Sequence, residues 1–225
     1  KASVVVQGLS AYEYILYDSK LDLADAEQKA RYCPLLEAIG QRQQSLAEEI
    51  LGRWNSKDGM VDQLSKFPNQ RYADSHEAIA ELLRVQVTGL DTLKKKLGAP
   101  LGRQTKNLPQ PFQAEGWRSN TSLKSIAASL ASAESLWKGV DNHGIRGLLP
   151  AEQKPLAEKI DAAYVESKRQ LDALDRPLTE LLADEAGRKA LNDFYDSLNV
   201  VHRLHESELA KALNIQLGFN ANDGD

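Results

Sequence analysis

The chain has 225 residues, 42% of them hydrophobic and 27% charged, which excludes a disordered or fibrous protein. Twenty-eight basic against 32 acidic residues leave a net charge of −4 and a pI near 5.7, arguing against nucleic acid as the main partner. No apolar run approaches the roughly 20 residues of a membrane span, and the one cysteine, Cys33, excludes an internal disulfide and an all-cysteine metal site.

The start, Lys1-Ala2-Ser3, carries no initiator Met and reads as a processed or trimmed terminus. A helix is expected from near Ser10, with Tyr12, Ile15 and Leu16 on it. A second is expected from about 23 to 54 through Cys33, Leu36, Ile39, Ile50 and Trp54, with a kink at Pro34. Cys33 reads as a small buried hydrophobe. Two helices cannot enclose a core, so residues 1–57 are expected to pack on other helices.

Further along, Ile79, Leu82, Leu83, Leu90, Leu93 and Leu97 recur at helical spacing over 74–97, with Asp74 or Ser75 as cap and Gly98 and Pro100 as stop. Lys94-Lys95-Lys96 near its end reads as a solvated face. Residues 98–117 read as a long loop. The next seam, over 119–139, runs through Leu123, Ile126, Leu130, Ala133 and Trp137, with Ser119 or Asn120 as cap. Leu156, Ile160, Ala163, Ser167, Leu171 and Leu174 mark a third helix over 150–174, opened by Pro150. A short helix over 178–185 precedes a long one over 187–213, with Gly187 marking a bend. The 214–225 tail is not helical. No stretch alternates like a strand. The expectation is an all-α protein of two up-down helical bundles: residues 1–57 supply part of the first, and 58–225 form a second, four-helix bundle with a C-terminal tail.

Several side chains could carry chemistry. Ser10-x-x-Glu13 has the form of a capping box, in which the hydroxyl and carboxylate satisfy each other's backbone amides. A helix N-terminus also attracts anions. On a helical wheel, His202 and His205 fall mid-stripe with Leu198 and Leu209, on the face that should be buried. They read first as hydrogen-bonded core histidines and second as a metal-binding pair. Arg118 can bind a carboxylate bidentately, with Glu115 as a partner within the chain. Asp223 and Asp225 offer oxygen ligands in the tail, where a docked tail is the simpler reading. His76 and His143 have no partner by spacing. Gly-x-Ser-x-Gly, P-loop, dinucleotide and His-Glu-x-x-His motifs are all absent.

Three segments in order are distinctive: Gly8-Leu9-Ser10-Ala11-Tyr12-Glu13-Tyr14-Ile15-Leu16, Ala114-Glu115-Gly116-Trp117-Arg118-Ser119, and Leu217-Gly218-Phe219-Asn220-Ala221-Asn222-Asp223-Gly224-Asp225. Together they resemble the imelysin-like family, which includes insulin-cleaving metalloproteinases and iron-regulated proteins. The resemblance implies two helical bundles and about a hundred further residues before the first segment. Residues 1–57 are then the remainder of a first bundle whose other helices are missing from this chain. It also implies export to the periplasm or outer membrane of a Gram-negative bacterium, and iron-uptake components or a small metal complex as partners. The family's fuller motif, Gly-x-His-x-x-Glu, has Ser10 in the His position, and a hydroxyl is a poorer zinc ligand than imidazole.

On this resemblance the site is expected between the bundles, with Gly8, Ser10 and Arg118 binding ligand. Glu13, His202 and His205 would hold iron or zinc, a His/His/carboxylate set. The expected function is a binding protein for a metal or iron-related ligand, linked to iron uptake. The alternatives are a metallopeptidase with Glu13 as ligand or general base, and a helical interaction scaffold without metal.

Overall fold

The computed structural model describes residues 7–217. Within them the protein is all-α, with helices and turns and no strand. The Gly218–Asp225 block, with Asp223 and Asp225, lies outside the described residues. The chain divides into two compact units, residues 1–75 and 76–225.

In the first unit, α1 spans Leu9–Tyr17, α2 Ala26–Asn55 and α3 Met60–Ser65. Asp25 caps α2, its carboxylate accepting from Gln28 N at 2.9 Å. Pro34 sits inside α2, and the helix remains one continuous element across it. Helix α2 packs on both α1 and α3, and Gln43 Nε2 donates to Gln7 O at 2.8 Å to tie α2 to the chain ahead of α1. Ile15 of α1 and Ile39 of α2 are buried. Cys33 is half-buried rather than enclosed, because its face of α2 is partly open.

The second unit contains four long helices: α4 (Ser75–Gly98), α5 (Ser122–Lys138), α6 (Lys154–Asp172) and α8 (Glu185–Arg203), with a short α7 (Leu178–Leu181) before the last. Their apolar stripes meet in one core: Leu83, Leu90 and Leu97 from α4, Ile126, Leu130 and Trp137 from α5, Ile160 and Tyr164 from α6, and Leu191, Phe194, Leu198 and Val201 from α8. Each fully buried large side chain contributes about 1.5–3 kcal/mol of transfer free energy. The α6–α8 contact is the most extensive between elements.

Several local expectations change. Helix α5 starts at Ser122 with Thr121 at the cap position, because Asn120 takes a positive φ of 56° that turns the chain into the helix. A short 3-10 turn (Ala151–Gln153) comes between Pro150 and α6. The expected 187–213 helix starts earlier, at Glu185, and does not run on unbroken. After Arg203 it widens into a π-helical turn, Leu204–Leu209, before a last turn, α9, at Ala210–Ala212. Gly187 marks no bend: it lies in the first turn of α8, its N–H donating to the Asp184 cap at 2.7 Å. Gly139 closes α5 at φ 69°, where an added Cβ would strike the Gly144 backbone.

Candidate functional site

The residues singled out in the sequence fall in both units. Gly8, Ser10 and Glu13 open α1 in the first; Arg118, His202 and His205 belong to the second.

Helix α1 begins two residues earlier than a Ser10 capping box requires. Gly8 is the cap residue, extended at φ −102° and ψ 177°, with no side-chain hydrogen bond at the cap. Its carbonyl accepts from Ala11 N at 3.1 Å and Tyr12 N at 3.2 Å. Ser10 is therefore already helical and is not the cap, so the reciprocal Ser10–Glu13 pairing does not form the helix start. Instead the two residues, three apart, share one face of the first turns, with Ser10 exposed and Glu13 half-buried.

Arg118 lies on the connection between α4 and α5. Its guanidinium stands 4.2 Å from the Trp117 ring centroid, and Trp117 meets Phe112 edge-on at 4.7 Å. Glu115 was expected to serve Arg118; its ion-pair partner is Lys96, at 2.6 Å.

His202 and His205 are both buried, at 6% and 0% exposure. Their environments differ. Lys94 Nζ lies 3.1 Å from His202 Nδ1, 3.2 Å from Asn199 Oδ1 and 3.5 Å from Asp91 Oδ1. An ammonium has only donors, so His202 Nδ1 accepts and the proton of the neutral ring sits on Nε2. Burial first, and the Lys94 charge second, push the His202 pKa below its ordinary value. Glu206, 3.9 Å from the same nitrogen, pulls the other way. Lys94 is itself 9% exposed, so it is not part of a solvated lysine face. It occupies the α4 stripe between Leu90 and Leu97, a spacing that identifies it as inward-facing.

His205 sits on the π-helical turn between two aromatic rings, 5.5 Å from Trp137 and 5.6 Å from Tyr164. Its Nδ1 is 2.8 Å from Val201 O and its Nε2 is 3.4 Å from Tyr164 Oη. Gln86 Nε2 donates to Tyr164 Oη at 2.9 Å and to Ala133 O at 2.7 Å. Withdrawal from water lowers the His205 pKa to about 4, so the ring is neutral near neutral pH. Beside it, Trp137 Nε1 donates to Asp161, whose other oxygen accepts from Arg146 Nε. Gln86, Tyr164 and Asp161 went unnoticed in the sequence, since a buried polar group leaves no periodic signal of its own.

Neither histidine ring is poised as a metal ligand as it stands. His205 has both ring nitrogens engaged in the core, and His202 Nδ1 faces an ammonium that would repel a cation. Among the described residues, no group of three or more His, Cys, Asp or Glu side chains is arranged to hold a metal ion.

The sequence matches the family model described as Imelysin over residues 1–205. A search of curated proteins and one of solved structures returned no match. With nine-tenths of its length in that match, the chain belongs to the imelysin family.

Proposed function

We propose that the protein is an exported binding protein of iron handling, working in the periplasm or at the outer membrane of a Gram-negative bacterium. It takes up metal as a small anionic complex and passes it to iron-uptake components. One observation carries this reading: Ser10 and Glu13 share a face at the N-terminal end of α1. A hydroxyl and a carboxylate are hard oxygen donors, suited to ferric iron more than to zinc. The positive end of the helix favours the negative charge of a chelated complex. A peptidase would want imidazole ligands, and position 10 carries a serine.

The test is metal analysis of the full chain after loading with ferric citrate or zinc chloride. Wild type is compared with Glu13→Gln and with the His202→Ala/His205→Ala double variant, and insulin cleavage is assayed in parallel. Iron near one equivalent, lost in Glu13→Gln, kept in the histidine variant and accompanied by no cleavage, is the expected result. Zinc that the histidine variant loses, with insulin cleavage that EDTA abolishes, would instead establish the metallopeptidase. Retention of neither metal would leave a helical interaction scaffold.

A further inference from the structure

We propose that Lys94, His202 and Glu206 form a proton-operated clasp: the neutral ring ties the end of α8 to α4, and a proton on it moves its hydrogen bond to Glu206 and frees the chain beyond. The clasp is separate from the α1 motif and does not depend on the reading given for it.

The parts stand in contact. His202 Nδ1 lies 3.1 Å from the Lys94 ammonium on one side and 3.9 Å from Glu206 Oε2 on the other. Lys94 and His202 are buried, whereas Glu206 is exposed on the π-helical turn. One ring nitrogen cannot serve both neighbours at once. Neutral, it accepts from Lys94. Protonated, it is a donor only, so the bond from Lys94 is lost, the two cations repel, and the Glu206 carboxylate becomes the partner. The other charges acting on the ring are Asp91 of α4, which favours the proton, and Arg203, which opposes it. His205, on the same turn, is the neighbouring titratable group.

Asn199 confines the release. Its Oδ1 accepts from Lys94 at 3.2 Å and does not titrate, so α8 stays tied at 199 when the tie at 202 is lost. Beyond 202 come the π-helical turn, Leu204–Leu209, and α9. Burial of Leu204 and Leu209 keeps this segment closed while the clasp holds. Its polar ties to α6 are light. His205 Nε2 reaches Tyr164 Oη at 3.4 Å, and Glu208 meets Lys159 in an exposed ion pair of little worth. A segment so held opens locally without unfolding the bundle. The closed form disfavours the proton on His202 through burial and the Lys94 charge, so by linkage a falling pH favours the opened form.

Hydrogen exchange of the full chain, read by mass spectrometry and corrected for the intrinsic pH dependence of amide exchange, tests this. Protection over residues 204–212 should fall severalfold as pH drops from about 7 to about 5, with α6 keeping its own. In His202→Gln the amide oxygen still accepts from Lys94 and cannot titrate, so protection should hold across that range. Glu206→Gln, at an exposed position, removes the carboxylate that receives the proton's bond and should move the fall to lower pH. This second variant decides the matter should His202→Gln lower the melting temperature. Protection that does not change with pH, or that falls equally over α6, overturns the proposal. So does a fall that His202→Gln leaves in place, which would make His205 the group that takes the proton. A fall unmoved in Glu206→Gln overturns the transfer of the bond to Glu206.

Discussion

Tyr164 Oη stands 3.4 Å from His205 Nε2 with both rings fully withdrawn from water. The direction of this contact is fixed from both sides. Gln86 Nε2 already donates to the hydroxyl oxygen, so the hydroxyl hydrogen is left for His205. Nε2 therefore accepts, Nδ1 carries the ring proton, and that proton goes to Val201 O at 2.8 Å. One polar thread thus passes from α5 at Ala133 through α4 and α6 to the π-helical turn after α8. Removing its middle with Tyr164→Phe leaves His205 Nε2 buried without a donor. The expected cost is about 1–3 kcal/mol. Urea unfolding near neutral pH, with helix content followed by circular dichroism, measures it. An unchanged midpoint would mean that the thread contributes nothing.

The same histidine makes stability depend on pH in a defined direction. Its pKa is about 4 in the fold against 6.5 ordinarily. As pH falls below 6.5 the unfolded chain takes up the proton first, so unfolding is favoured. The contribution is complete above 6.5 and is lost as pH falls toward about 4, amounting to about 3 kcal/mol. The lowered pKa of His202 acts in the same sense. His205→Leu should flatten the fall in stability over that window. A variant as acid-sensitive as wild type would place the proton uptake elsewhere.

Helix positions were legible in the sequence because burial of leucine and isoleucine at helical spacing is what forms these helices. Leu83, Leu90, Leu93 and Leu97 announced α4, and all four are buried. What escaped was polar burial. Lys94 and Gln86 are inward by position, yet their chemistry suggested water, and only their partners in α5, α6 and α8 make burial tolerable. Those partners lie 47 to 108 positions away in sequence, beyond any local pattern. The π-helical turn was hidden for a related reason. Residues 204–209 carry an ordinary helical composition, and the wider turn shows only where His205 meets Trp137 and Tyr164. In the candidate site, the Ser10–Glu13 spacing was visible but its register was not. Gly8 already has the extended backbone a cap requires, so the helix begins before Ser10.

Lys94 sets the state of His202. With an ammonium 3.1 Å from Nδ1, protonation of the ring brings two positive charges together in a largely buried place. Lys94→Met removes one of them. The His202 pKa should rise toward its ordinary value without reaching it, because burial is the larger cause of the lowering. Titration of the imidazole resonances by NMR, with His205 as internal comparison, reads this. A His202 pKa that falls in Lys94→Met would reverse the assigned charge relationship.

Two glycines in helices give opposite outcomes for one substitution. Gly187 sits in the first turn of α8, where a Cβ would collide with the Leu181 carbonyl. Neither party can yield easily. The Gly187 N–H is held by Asp184 at 2.7 Å, and Leu181 and Leu182 are anchored in the core. Gly187→Ala should therefore cost about 2–4 kcal/mol, as overpacked sites do when backbone must move. Gly40, inside α2, has nothing within 4 Å of its would-be Cβ. There the alanine lowers the entropy of the unfolded chain and improves helix propensity, and stability should rise by up to about 1 kcal/mol. Thermal unfolding of the two variants beside wild type decides the matter. Equal shifts of one sign would show that close approach at Leu181 does not govern how α8 begins.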